Sequence, residues 1–166
     1  MSLLDFQTAA AGNLVDLVEQ IATYHDWSFD RSGEDEITVS IAGSFCDYNI
    51  SLSWMEELEA MHLAAAFDFR VSERRKTEIM RLLALVNEQL WIGHFDLWQA
   101  EGVIMYRSAL LLSDGAEVNT GQLEGILSAA VEACERYYQA FQFVIWAGKS
   151  PEEALGSVLF ETLGEA

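Results

Sequence analysis

The chain has 166 residues, of which 51% are hydrophobic and 11% aromatic, and it carries a formal net charge of −18. Its length and composition exclude a disordered chain and favour a single domain, residues 1–166, with a sizeable core. The acidic excess repels phosphate backbones and anionic lipid, so we expect neither nucleic acid nor a membrane as partner.

The amino-terminal stretch and the two cysteines indicate the compartment. The start, MSLLDFQTAAAGN, contains no basic residue, which argues against a signal or transit peptide. No later run approaches the roughly 20 apolar residues that span a membrane. Cys46 and Cys134 are far apart and fall on predicted apolar faces, so we expect reduced thiols and a cytoplasmic protein.

The first half of the chain reads as one helix followed by strands. Helical spacing of leucine, valine and isoleucine predicts a helix over residues 12–26, with Asn13 as its cap. Three or four strands are then predicted: a short one at 27–30, which the pattern leaves open, and those at 37–41, 45–54 and 58–69. Gly43-Ser44 is expected to form a tight two-residue turn between the second and third of these strands.

The strand over 45–54 has the clearest alternation. One face is apolar, and we expect it to pack against helices; its residues are Cys46, Tyr48, Ile50, Leu52 and Trp54. The strand over 58–69 alternates as well, but its reverse face carries Ala60, Ala64 and Ala66 beside His62. Such small side chains predict that another part of the structure lies close against that face.

Ser72 is expected to cap a second helix over 73–91, which Gly93 ends. Two strands follow, at 94–100 and 103–112, joined by a turn at Glu101-Gly102. The second of them is apolar on both sides, so we expect both sides to be covered.

The longest predicted element is a helix over 119–148, with one continuous apolar stripe from Leu123 to Ile145. Ser150-Pro151-Glu152-Glu153 then predicts the start of a short helix that runs to about Leu163. The order α-βββ-α-ββ-α-α indicates an α+β fold, in which an antiparallel sheet of about five strands is backed by helices.

The best catalytic candidate is the pair His94 and Asp96, which point the same way on a strand. A histidine oriented by a carboxylate is half of a catalytic triad, but no nucleophile motif accompanies the pair. The simpler interpretation is a histidine at a strand start with a hydrogen-bonding partner. Histidines and cysteines with metal-ligand spacing are missing from the sequence, as are phosphate-binding glycine loops, so we predict no metal and no cofactor.

Basic residues concentrate in one segment, which contains Arg70, Arg74, Arg75, Lys76 and Arg81. Most of them surround a predicted helix N-terminus, the end at which the helix dipole disfavours cations. They either anchor an acidic peptide or small anion, or neutralise acids of the same or a second subunit. Phe143 and Trp146 lie off the apolar stripe of the long helix, where they form either a shelf for the terminal helix or part of an interface.

Three segments resemble the YbjN-like proteins of bacteria: NEQLWIGHFDLW at 87–98, the strand with Tyr106-Arg107 and leucines at 110–112, and CERYYQAFQFVIWAGKSPEEA at 134–154. The resemblance implies a fold like that of the secretion chaperones, with an antiparallel sheet and three principal helices, commonly dimeric. It also implies a role in regulating sensory transduction. It supplies no catalytic residues.

Two hypotheses follow. The first is a non-enzymatic, chaperone-like or regulatory homodimer that binds an unknown protein partner, using the basic segment with Phe143 and Trp146. The acidic, apolar-rich composition fits such a protein, because a binder that exposes apolar patches must stay soluble. The alternative is a small ligand-binding domain or enzyme that uses His94, Asp96 and the basic residues of 70–81.

Overall fold

The computed structural model describes the backbone of residues 8–9 and 14–164 and the side chains of residues 14–160. Six antiparallel strands form the main sheet, and four helices accompany it. The strands are β2 (Ser28–Arg31), β3 (Glu36–Ala42), β4 (Asp47–Met55), β5 (Ala60–Arg70), β6 (His94–Trp98) and β7 (Val103–Leu111), in the spatial order β2-β3-β4-β5-β7-β6. Two short strands, β1 (Thr8–Ala9) and β8 (Val118–Asn119), pair separately.

The helices are α1 (Leu14–Tyr24), α2 (Lys76–Asn87), α3 (Thr120–Ile145) and α4 (Pro151–Gly164). The predicted α+β class is confirmed, with six strands in the main sheet rather than about five. The predicted Asn13 cap lies outside the described residues.

One face of the sheet packs against the helices and forms the core. In β4 the side chains of Tyr48, Ile50 and Leu52 are buried, whereas Asp47 and Asn49 are exposed. The predicted facing of the 45–54 strand is therefore confirmed, although the strand begins at Asp47. The Gly43-Ser44 turn prediction was too short, because four residues connect β3 to β4 and the Gly43 N–H donates to the Cys46 carbonyl.

The other face of the sheet carries mostly small or polar side chains. A row across it runs through Thr38, Ser51, Ala64, Arg107 and His94, which are neighbours in successive strands. On this side of β7 Met105 is buried, but Leu111 is 69% exposed. The prediction that both sides of strand 103–112 are covered is therefore wrong at its carboxyl end.

The second helix is shorter than predicted. Residues Glu73–Arg75 form a 3₁₀ turn, the Ser72 side chain makes no capping hydrogen bond, and α2 ends at Asn87 instead of continuing to residue 91. The helix stops because the Asn87 carboxamide binds the neighbouring strand, accepting from the Phe95 N–H at 2.8 Å and donating to the Phe95 carbonyl at 3.0 Å. Gly93 then turns the chain into β6 with φ +71°.

The long helix α3 begins at an Asn119 capping box, in which Asn119 and Gln122 bind each other's backbone N–H groups. Its inner face supplies Leu123, Tyr137, Phe141 and Val144 to the core, all fully buried. The helix is unbroken from Thr120 to Ile145. The predicted helix start at Ser150 is confirmed, since the Ser150 hydroxyl accepts the Glu153 N–H at 3.2 Å.

Candidate functional site

The basic residues surround the junction between β5 and α2. We call Arg70, Arg74, Arg75, Lys76 and Arg81 the basic cluster. Arg70 donates to the Glu101 carbonyl at 2.7 Å, and Lys76 donates to the Gln99 carbonyl and pairs with Glu73 at 2.6 Å. Arg70 therefore ties the end of β5, and Lys76 the start of α2, to the turn between β6 and β7.

Arg81 links two helices. Its guanidinium lies 2.6 Å from Glu152 of α4 and 3.4 Å from Glu78 on its own helix. Pairs this exposed contribute at most about 1 kcal/mol each. Lys76 and Arg81 therefore pair with acidic residues of their own chain, which is one of the two interpretations of the basic segment.

Arg75 resolves the apparent conflict with the helix dipole. Its guanidinium lies against Gly148, where an added methyl group would come within 3.2 Å of Nη2. Gly148 follows the carboxyl end of α3, and there the macrodipole favours a cation. Arg75 thus precedes the start of α2, but its positive charge lies near the carboxyl end of α3, where it is favourable. Its buried Nε has no hydrogen-bond partner among the described residues.

Trp146 adds an apolar surface to this corner of the molecule. It is the C-cap residue of α3, is 64% exposed, and contacts Phe69 edge-on at 5.6 Å between ring centroids. Arg74 is exposed and forms no ion pair within the described residues. We call Arg74, Arg75 and Trp146 the aromatic-basic corner.

Phe143 does not share this environment. Its side chain is partly buried against the core, and the Lys149 ammonium lies over its ring at 4.4 Å. Phe143 and Trp146, which the sequence grouped together, therefore differ in exposure. Phe143 packs against the core of the domain, whereas Trp146 is exposed to solvent.

His94 and Asp96 do not form the pair that a triad requires. Asp96 instead pairs with Arg107 at 3.2 Å, and the Arg107 Nε donates to His62 Nε2 at 3.1 Å. Burial, and then the charges of Arg107 and His94, lower the pKa of His62, which keeps that ring neutral and able to accept. The arrangement is a polar network on the open sheet face.

The segment between α2 and β6 exposes two apolar side chains that the sequence did not single out. Trp91 is 99% exposed and Ile92 is 59% exposed. They border a shallow groove of about 180 Å³ whose other lining residues are Leu90, Ala129, Glu132, Ala133, Arg136 and Tyr137. The sequence signal was a pair of bulky apolar residues immediately before Gly93, of which Trp91 had been included in the predicted helix 73–91.

Within the described residues, no three histidine, cysteine or acidic side chains cluster as they would around a metal ion. Cys46 and Cys134 are free thiols, and burial raises the pKa of Cys134 to about 12. No described helix is both long and apolar enough to cross a membrane.

Two solved structures share this fold. The chain is similar to the crystal structure of the ExsC–ExsE complex, with a TM-score of 0.53 and 19% identity, covering 82% of this chain and 94% of that one. It is also similar to the crystal structure of YbjN, "a putative transcription regulator from E. coli", with a TM-score of 0.53 and 12% identity over 73% of this chain and 85% of that one. The predicted secretion-chaperone-like α+β fold is confirmed.

The family follows from the sequence itself. Residues 14–143 match the family model of YbjN, described as "putative bacterial sensory transduction regulator". Because the match spans most of the chain, the protein belongs to the YbjN family, as the resemblance predicted. No curated protein sequence matches the chain.

Proposed function

We propose that this protein acts as a non-enzymatic, chaperone-like or regulatory homodimer that binds another protein in the cytoplasm. The family description and the fold shared with ExsC, which was crystallised in complex with ExsE, support this role. The observation that carries the proposal is Trp146, which is 64% exposed at the carboxyl end of α3, where the Arg75 guanidinium lies against Gly148, in a chain of net charge −18.

Tryptophan and arginine are the side chains that most often dominate binding energy at interfaces. Within the proposed surface, Arg74, Arg75 and Trp146 contact the partner directly. Arg70, Lys76, Arg81 and Phe143, which are engaged by their own chain, form its supporting rim. At physiological ionic strength charges act over about 8 Å, so an acidic, apolar segment would be attracted locally despite the net acidity.

The enzymatic alternative is not favoured. It requires His94 and Asp96 to cooperate, yet Asp96 is bound to Arg107 and most of the basic cluster is bound to carbonyls and carboxylates of the same chain. The acidic surface favours a protein as partner over nucleic acid or an anionic membrane.

Affinity capture from native lysate, followed by mass spectrometry, tests the proposal. The variant is Trp146→Ala with Arg74→Glu, and the matched control is Trp98→Ala, which removes a half-exposed tryptophan from β6. We expect a defined protein to bind the wild type and the control, but not the double variant. Equal capture by all three, or no specific capture by the wild type, would contradict the proposal.

A further inference from the structure

The segment 88–93 offers side chains rather than a strand edge. β6 is an edge strand of the sheet, and such edges are common sites for strand addition. Here the Asn87 carboxamide occupies the N–H and carbonyl of Phe95, and the Asp96 carboxylate accepts the Leu97 N–H at 3.0 Å. A partner that meets this side of the molecule must therefore contact the side chains.

Trp91 and Ile92 are the prominent side chains here. An indole buries roughly 150–250 Å² when it enters an interface, so leaving Trp91 in water forgoes a large apolar contribution. Beside it lies the groove, floored by Ala129, Ala133 and Tyr137. The exposed Trp91 side chain and a groove lined by small residues thus lie next to each other on one surface.

The outer face of α3 continues this groove. Gly121, Gly125, Ala129 and Ala133 follow one another at intervals of four residues, which places them in one row along the helix. A side chain added at Gly125 would meet no atom within 4 Å. A glycine inside a helix costs about 1 kcal/mol relative to alanine, and nothing packed within the described chain uses the space it leaves.

Charge indicates which occupant fits. Glu132 and Arg136 lie one turn apart on the rim, both exposed, and neither forms an ion pair within the described residues. If two α3 helices cross antiparallel at the groove, Glu132 of each copy faces Arg136 of the other. Such a self-complementary pair is what a two-fold interface requires, and it offsets part of the repulsion between two acidic chains.

We propose that the occupant is a second copy of this chain, with Trp91 of each protomer inserted into the Ala129–Ala133 groove of the other. The inference rests on the homodimer of the proposed function and specifies its interface. The two tryptophans would bury about 300–500 Å² of an interface of roughly 1,600 Å². Ile92 and the outer face of α3 contribute to the remainder.

Sedimentation equilibrium at micromolar concentration tests the interface. We expect a wild-type dimer, a dissociation constant raised about 30-fold or more by Trp91→Ala, and little change in the control Trp98→Ala. Circular dichroism checks that each variant is folded. A dimer unaffected by Trp91→Ala would overturn the interface alone, whereas a monomeric wild type would overturn the homodimer itself.

Exchange of the two rim charges tests the two-fold geometry. Glu132→Arg or Arg136→Glu alone brings like charges together, so each should weaken the dimer several-fold. The double variant Glu132→Arg/Arg136→Glu restores opposite charges and should recover most of the affinity. A double variant no tighter than the weaker single variant would overturn the antiparallel crossing.

Discussion

The two faces of α3 differ in how much of their surface is covered by the rest of the chain. On the inner face Leu123, Tyr137 and Phe141 are fully buried, and Phe141 contacts Phe67 and Phe95 with ring centroids 5.6 and 5.3 Å apart. On the outer face a side chain added at Gly125 would meet no atom within 4 Å, and the neighbouring Trp91 side chain is almost fully exposed to solvent. The apolar residues of the inner face are explained by the core that they form. The small residues of the outer face are explained by the dimer interface that we propose.

The largest expected effect comes from breaking the inner face. Phe141→Ala should reduce the free energy of unfolding by about 3–5 kcal/mol, because it leaves a cavity among aromatic rings. The control Phe160→Ala removes an exposed ring from α4 and should change stability by less than about 0.5 kcal/mol. Denaturant unfolding measures both, and similar losses would show that the core is not centred on α3.

Glu135, at the boundary between the two faces, holds the loop between β3 and β4. Its carboxylate accepts the Tyr48 hydroxyl at 2.6 Å and the Ser44 N–H at 2.8 Å. Gly43 is required there, because a side chain at that position would overlap both Glu135 and Tyr48.

Tyr48→Phe should therefore cost about 1.5–3 kcal/mol, the usual range for a hydrogen bond to a charged group. The matched control is Tyr24→Phe, since the Tyr24 hydroxyl is exposed and makes no hydrogen bond in the described structure. Equal stability of the two variants in denaturant unfolding would show that Glu135 does not hold the loop.

The same carboxylate predicts a dependence on pH. Burial alone would raise the pKa of Glu135, but hydrogen bonds from Tyr48, Ser44 and Phe45 outweigh it and lower the pKa below its ordinary value. Because the unfolded chain then binds the proton more tightly, the stabilisation is complete above about pH 4.3 and is lost as the pH falls through the lowered pKa.

The stability difference between wild type and Glu135→Gln should accordingly shrink as the pH is lowered from about 7 to about 3. Unfolding in denaturant at a series of pH values measures it. A difference that stays constant over this range would mean that the Glu135 carboxylate is not the stabilising species.

The smallest expected effect concerns the outer face. Gly125→Ala and the control Gly156→Ala, in α4, both add a methyl group where nothing lies within 4 Å. Each should stabilise the protein by about 0.5–1 kcal/mol through helix propensity. Thermal unfolding of dilute protein measures the gain, and a loss at Gly125 alone would show that part of this chain packs against the outer face.

Alternating patterns made much of the fold predictable. The strand with Tyr48, Ile50 and Leu52 could be oriented from the sequence, because a period of two leaves only one face apolar. The end of α2 could not be predicted, because Leu90 and Trp91 continue the apolar pattern of the helix. The hydrogen bonds that stop the helix join Asn87 to Phe95 in strand β6, which a pattern within the helix does not reveal.

The candidate site was predictable only in part. The basic cluster was visible as composition, but its partners Glu101, Gln99 and Glu152 come from distant parts of the chain. The role of Glu135 could not be predicted from helical periodicity, because a pattern within one helix does not contain the loop that folds over it. The exposure of Trp91 likewise depends on where α2 ends.

Quenching of tryptophan fluorescence at Trp91 tests the proposed association most directly. The difference between wild type and Trp91→Phe isolates the signal of this residue from those of the other four tryptophans. We predict that acrylamide quenches Trp91 weakly at concentrations where the dimer forms and strongly after dilution to monomer. Strong quenching at every concentration would contradict the burial of Trp91 in a second copy.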